Sequence, residues 1–591
     1  MKILPGWDKK KNPERGVIRK RWHGRVTCAL VFPEPYGVGM ANLGLQTLYS
    51  LLNASENILA ERFFSPKEKG PLGQAAQWLS EESRRPLRDF DLILFSLSFE
   101  SSYIGVLKAI VDAGITLRSI ERGCAEPVVL AGGVATFINP EPIAPFVDAF
   151  LLGEFEGIAP VFLDFLPRLL DRSEKRRDRL AAMAQSVPGT YVPGLYHPIF
   201  DSSGCFISWD REDDLPAPVP VVKAPEGLTD VPHTAILSPH AAFPEMFCVE
   251  LVRGCGRGCR FCAAGFVYRP PRMWPMDAIR KTLKDAPDSC PIGLVGLEYM
   301  GRPGVEELCE SLLGDGRRLA FSSLRVDELT PAFTRLLKRS GAKTATVAPE
   351  AGSEGLRRTL NKHLREEGIL RGVETLAQAG IPNVKLYFML GLPGEEDEDA
   401  EEIARLVGRI RETLAFRGKG RGRVSRVSVS VSIFVPKPWT PFQWAPFADV
   451  KVLKGRIVQL KRAIGRLPGI TLSIESQRDA LRQAVIARGD RRLAPVLEAV
   501  AVKEISFHRA VIENGLSSEM FIRKRDPLDA FPWEIVGHPV RRGYLLAEWN
   551  RALSGEETPF CDTTVCKRCG ACGGHRTETG PWTKISQNSP R

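Results

Sequence analysis

The stretch RGCGRGCRFCAAGF, Arg253–Phe266, places Cys255, Cys259 and Cys262 four and then three residues apart among Gly254, Gly256 and Gly258. Glycines at these positions let a short loop curl around an inorganic centre. A structural zinc site takes four ligands, so zinc would have to borrow His240 or Cys248. A cubane [4Fe–4S] cluster held by three thiolates instead leaves one iron open to a small molecule. The loop follows the apolar run FCVELVRG, and what lies beyond that run decides the fold.

FCVELVRG is the first of six strand-like runs separated by helical pattern; IGLVGLEY, LAFSSLRV, TATVAPEAG, NVKLYFMLG and RVSVSVSIFVP follow. Six such units over 245–450 predict a partial (β/α)6 TIM-type barrel, in which strand ends and βα loops carry the chemistry. Helix signals agree: Asp277 and Thr330 sit near helix starts, and Gly341 follows the helical AFTRLLKRS. Upstream, over 25–180, VTCALVFP, DLILFSLSF, PVVLAGG and DAFLLGE alternate with amphipathic stretches and predict a Rossmann-like doubly wound domain. Ligands on such sheets bind beyond the carboxyl ends of strands, where Ser96, Ser98, Gly132 and Gly133 lie. The plainer reading gives those glycines to tight turns and those serines to helix caps.

Residues 1–24 form a basic arm. Residues 181–244, rich in proline and glycine, read as an extended connector with a hairpin. Residues 451–591 begin basic and helical and end in CDTTVCKRCGACGGH, where Cys561, Cys566, Cys569 and Cys572 supply four thiols and can close a site unaided. Their C-x2-C-x2-C run suits an auxiliary [4Fe–4S] cluster, and the compact spacing beside His575 also suits a zinc knuckle. A closed centre has no open position for a small molecule, so it is expected to be separable from the first, its removal sparing what the first binds. The isolated cysteines, Cys28, Cys124, Cys205, Cys248, Cys290 and Cys309, read mostly as small core residues.

The chain has 591 residues, 43% of them hydrophobic, and a net charge of +11. That length exceeds one core, so several domains are expected. The start MKILPGWDKKKNPERG has no apolar export segment, and no run is long enough to cross a membrane, which together predict a reducing cytoplasm. Basic clusters at Lys9–Lys11, Arg19–Arg25 and Arg417–Arg426 would suit a polyanion such as RNA, but solvated basic faces are common and no nucleic-acid-binding motif accompanies them.

The C-x3-C-x2-C loop, with aromatic Phe261 before its third cysteine and a strand before it, resembles the signature of the radical S-adenosylmethionine superfamily. The resemblance implies that the open iron chelates S-adenosylmethionine, which one electron from a flavodoxin- or ferredoxin-type reductant cleaves. Further stretches match in order. VGLEYMG stands where the family has a Gly-Gly-Glu motif for the methionyl amine, making Gly296, Leu297 and Glu298 the counterparts, with Gly-Leu a departure. SSLRVDEL offers Ser323 and Arg325, APEAGSEGLRRTLNK offers Glu350 with Ser353 and Arg357, and LYFMLGLPGE offers Gly391, Gly394 and Glu395 near the adenine.

The N-terminal part resembles the cobalamin-binding domain ahead of many such barrels, with Ser96, Ser98, Gly132 and Gly133 at matching strand ends. Where a cobalt-ligating Asp-x-His-x-x-Gly would follow the first strand, this chain has PEPYGVGMANLG and no histidine. The whole order resembles one bacterial group of this subgroup that ends in a cysteine cluster; it implies no particular reaction and carries a link to RNA metabolism. The expected function is reductive cleavage of S-adenosylmethionine, with a cobalamin-dependent methylase or other C–H functionalising reaction. A methylthiotransferase acting on RNA or protein is the first alternative, although it draws three cluster ligands from its N-terminal domain, where only Cys28 and Cys124 stand. A non-catalytic iron–sulfur or RNA-binding scaffold is the second.

Overall fold

The computed structural model describes residues 14–66, 77–418 and 426–572, apart from positions 213, 226, 323 and 564. Its first sheet comprises β1 (Val26–Phe32), β2 (Ile58–Phe64), β3 (Leu92–Ser96), β4 (Val128–Gly132), β5 (Ala149–Leu151) and β6 (Thr190–Tyr191). The order is β2-β1-β3-β4-β5-β6, parallel except for the last pair. Helices cover both faces, which is why β2 and β3 are buried at every position and read as apolar runs apart from Glu61, Arg62 and the terminal Ser96. Buried Arg62 is compensated by Glu82 at 2.6 Å and by Glu14, which fixes the described end of the N-terminal arm on this sheet.

The expected connector contains its hairpin, β7 (Tyr196–Phe200) with β8 (Phe206–Arg211), while Thr190–Tyr191 extends the first sheet. Downstream, β9 (Val219–Pro220) pairs with a short strand near the C-terminus.

All six strand-like runs of the central region form strands. They fall in two parallel sheets rather than one: β10 (Phe247–Glu250), β13 (Ile292–Val295) and β14 (Leu319–Phe321) form the first. Between β10 and β13 lies the two-residue ribbon of β11 (Val252–Arg253) and β12 (Arg272–Met273). The second sheet holds β15 (Thr344–Glu350), β16 (Asn383–Leu390), β17 (Val427–Ile433) and an additional β18 (Ile470–Ile474). In β16, Val384, Leu386, Phe388 and Leu390 are buried in one core with the helices, whereas Lys385, Tyr387 and Met389 on the opposite face stay partly accessible. Strand alternation thus divides each strand into a packing face and a face open to a ligand.

The C-terminal region, expected to be helical, supplies seals as well. Ile486, Ala494, Leu497 and Ala501 join the core of the first sheet, and Phe531, Trp533 and Trp549 join Phe266, Phe442 and Trp444 in an aromatic core beneath the cysteine loop. The strand β19 (Val536–Gly537) completes the pair with β9.

Candidate active site at the cysteine loop

The β11–β12 ribbon closes the base of the cysteine loop, pairing Val252 with Met273 and Arg253 with Arg272. Both arginines are drawn onto Glu154, and Arg253 also meets Glu156 and Glu250 at 2.8 Å, so the first domain holds both ends of the loop. Within it, Gly254 has φ +85°, and a Cβ there would lie 2.6 Å from the Tyr268 carbonyl oxygen; no other residue fits that turn. The Cys262 N–H donates to the Cys259 carbonyl at 3.1 Å, turning the strand end into the helix Ala264–Val267.

The structure brings Cys255, Cys259 and Cys262 together, all partly exposed and near enough to repel one another as thiolates. Burial and that repulsion push the Cys255 thiol up to about 12 and the Cys262 thiol up to about 11. Ionising them calls for local positive charge, which iron in a cluster supplies. The protein adds more. Burial works against the Lys362 ammonium, yet Glu350 at 2.9 Å and the Cys259 thiolate hold its pKa above the ordinary value. Arg325 is raised in the same way, against burial, by Asp327, Glu328 and Cys259. An anionic cluster with an open corner fits this set of donors and cations. Among the described residues, neither Cys248 nor His240 completes it: Cys248 is buried in β10, its N–H donating to Thr234, and His240 sits on the connector against Gly37.

Glu298 is bound to the loop itself. Its Oε2 accepts from the Gly256 N–H at 3.0 Å, and its Oε1 pairs with Arg257 at 2.8 Å. Gly296 is packed, with the Ser322 hydroxyl donating to its carbonyl at 2.6 Å. Ser323 lies outside the described residues. Glu350 ends β15 at a register shift with φ +70°, and Asn361 and His363 nearby have φ +54° and +51°. Three non-glycine residues in the left-handed region beside one loop store strain on the order of 1–3 kcal/mol each, as functional sites do. Gly391 (φ +84°) donates its N–H to Glu395 at 2.6 Å, and Phe261 packs into the aromatic core.

At the first sheet, the order β2-β1-β3 puts the topological switch point at the ends of β1 and β3. There the Asn42 amide donates to Ser98 Oγ at 3.0 Å, Ser102 donates to Glu34 at 2.6 Å, and Phe99 is exposed. Ser96 is buried. Gly133 takes φ +103°, and a Cβ there would stand 2.5 Å from the Leu97 carbonyl oxygen; this glycine serves chain packing. Gly132 continues β4, opposite Leu151.

The tail docks against the loop. The Cys561 N–H donates to the Gly256 carbonyl at 2.8 Å. Asn361 clamps both, donating to the Gly258 and Thr558 carbonyls at 3.2 Å and accepting from the Thr558 N–H at 2.7 Å. Fully buried Arg260, between two of the loop cysteines, pairs with Glu548 at 3.1 Å and donates to the Glu556 carbonyl at 2.8 Å. Arg257 lies 4.2 Å over the Phe560 ring. A small crevice is lined by Gly258, Arg269 and Asn361 on one side and by Cys561, Cys566 and Cys569 on the other. Burial and the other three tail thiols push Cys561 up to about 11, tempered by Arg269, while Arg568 outweighs burial and lowers Cys566. His575 lies outside the described residues. Among those described, no three Cys, His, Asp or Glu side chains converge on one ion-sized point.

The arginine and asparagine contacts were missed in the sequence. Asn361 and Lys362 fall inside a matched motif but carry no chemical signature, and an arginine among cysteines reads as a solvated charge. Of the isolated cysteines, Cys28, Cys248, Cys290 and Cys309 are buried, whereas Cys124 is exposed and Cys205 partly so.

Residues 44–193 match the family model for radical SAM proteins, N-terminal, and residues 249–407 match that of the radical SAM superfamily. An uncharacterised protein of Methanocaldococcus jannaschii is 27% identical over 80% of this chain and 90% of its own length. A tRNA-2-methylthio-N(6)-dimethylallyladenosine synthase of Anaplasma phagocytophilum is 24% identical over 32% of this chain and 46% of its own. Among solved structures, the radical S-adenosylmethionine methyltransferase TsrM from Kitasatospora setae, with cobalamin and a [4Fe–4S] cluster, aligns at TM-score 0.45 and 11% identity, covering 85% of this chain and 99% of that one. The cobalamin-dependent radical enzyme OxsB aligns at 0.42 and 14%, covering 90% and 79%. With two family models spread over both α/β regions, and the cysteine loop inside the second, the chain belongs to the radical SAM superfamily of enzymes.

Proposed function

We propose that Cys255, Cys259 and Cys262 hold the [4Fe–4S] cluster and that the open face of the second sheet receives S-adenosylmethionine. The observation that carries this reading is three thiols near enough to repel one another, with Lys362 and Arg325 beside Cys259, on a loop clamped at both ends. When bound, the cluster supplies the electron for reductive cleavage of S-adenosylmethionine. Arg325 and Lys362 then neutralise the substrate carboxylate and the cluster, Glu350 fixes Lys362, and Glu298 positions the loop through Gly256 rather than reaching for the methionyl amine.

The finer reading is a cobalamin-dependent methylase or other C–H functionalising enzyme. Support comes from the switch point, where Asn42, Ser98 and exposed Phe99 would contact cobalamin. No histidine follows β1 to serve as a cobalt ligand. The tail thiols are proposed to hold a second centre, an iron–sulfur cluster or zinc. Its exposed Val565 beside a loop bonded to Gly256 suits electron entry from a flavodoxin- or ferredoxin-type donor. Cys28 is buried inside β1 and unavailable as a ligand, which disfavours a methylthiotransferase. Comparison by mass spectrometry of RNA and metabolites from cells with and without the gene would test the reaction class: a lost methyl group supports methylation, and a lost methylthio group overturns it.

A further inference from the structure

A second cavity lies away from the cysteine loop, between the hairpin turn of β7–β8 and the C-terminal helices. It has a volume of about 340 Å³ and is lined by Arg488, Arg492, Arg523 and Arg525. Arg488 follows the helix Gln477–Ala487 and is 1% exposed. Its two terminal nitrogens donate to the Ala445 and Arg523 carbonyls, which leaves its Nε buried without a partner. The Nε of Arg525 is likewise buried and unpartnered.

Among the described residues, Arg488, Arg523 and Arg525 pair with no carboxylate, whereas Arg492 is paired with Asp490 at 2.6 Å. The remaining acids of the lining, Glu519 and Asp529, leave three unpaired arginines against two carboxylates, and Asp529 already accepts from the Asp526 N–H. Burial and repulsion from Arg525 and Arg523 hold the Arg488 guanidinium well below its ordinary pKa. A buried guanidinium with no countercharge is costly, and an oxyanion in the cavity beside it offsets that charge. The planar fork of arginine suits phosphate, and the volume suits a mononucleotide-sized group.

We propose that this cavity is a binding site for a phosphate group, with half-buried Arg525 as its donor, Arg523 at its rim and Arg488 as the buried positive charge behind them. Phe531 lines the cavity and belongs to the same aromatic core as Phe266 of the cysteine loop.

The test uses the full chain at constant ionic strength, with inorganic phosphate, adenosine 5′-monophosphate and a short oligouridylate, read by calorimetry and thermal melting against chloride. Phosphate should raise the melting temperature. R525Q should weaken binding about tenfold or more, the size of a lost charge-assisted hydrogen bond, and R488Q should weaken it about threefold or more through the lost charge. R523Q at the rim should weaken it less and guards against a misfolded buried variant. Tighter binding of the monophosphate than of the oligouridylate assigns a small phosphorylated ligand; the reverse assigns a nucleic-acid phosphate. If phosphate gives no shift over chloride, or the shift survives unchanged in all three variants, the arginines hold no anion and the proposal is overturned.

Discussion

Replacing Arg260 by methionine should loosen the tail from the cysteine loop. Arg260 is fully buried and meets Glu548, whose side chain is 2% exposed, at 3.1 Å. Removing one partner of a buried pair costs about 3–5 kcal/mol, because the other charge stays uncompensated. Here Arg551 at 2.7 Å and the Thr558 hydroxyl at 2.8 Å still serve Glu548, so the lower end, about 3 kcal/mol, is expected. Hydrogen exchange followed by mass spectrometry reads this locally. Opening of the segment around Glu556–Cys561 should become about a hundredfold more frequent, while the first sheet is unchanged. A double variant, R260M with E548L, should recover part of the loss, since no charge is then stranded. An increase below about threefold, or strict additivity of the two substitutions, would show that the tail is held by other contacts and that this ion pair contributes nothing.

Changing Cys561, Cys566, Cys569 and Cys572 to serine should lower iron from about eight to about four per chain if the tail holds a cubane; one zinc beside about four irons in the wild type assigns the knuckle instead. Cobalamin should bind under anaerobic conditions at tens of micromolar, and its Co(II) spectrum should lack the nitrogen superhyperfine pattern of an imidazole; no binding would reduce the first sheet to a structural element. Burial pushes the Glu395 carboxyl up to about 7 against the Gly391 N–H and Arg456. The folded state therefore holds that proton more tightly than the unfolded chain, so its contribution is present below about pH 4.5 and lost as pH rises through about 7. E395Q should flatten the fall in melting temperature over that window, and an unchanged slope would rule Glu395 out as its source.

The alternating RVSVSVSI and NVKLYFML were legible as strands because β-branched and aromatic residues recur with period two, and the structure forms both. Thr330 was legible as a helix start because its hydroxyl caps the Phe333 N–H. The short ITLSI of β18 was not, since it is only half-buried and lies among basic helical sequence. The cysteine triad follows from local spacing alone. Its surroundings do not: Arg260 and Glu548 are 288 positions apart, and the clamp by Asn361 depends on a left-handed backbone that its sequence does not announce. Ligand counting likewise says nothing about where the tail docks.

The central claim is that the three loop cysteines hold the centre at which S-adenosylmethionine is cleaved. Anaerobically reconstituted protein, reduced with dithionite and given S-adenosylmethionine, should yield 5′-deoxyadenosine or a product derived from it. The variant with Cys255, Cys259 and Cys262 all changed to alanine should lose one cubane, about four irons, and all turnover. Undiminished cleavage by that variant would contradict the account.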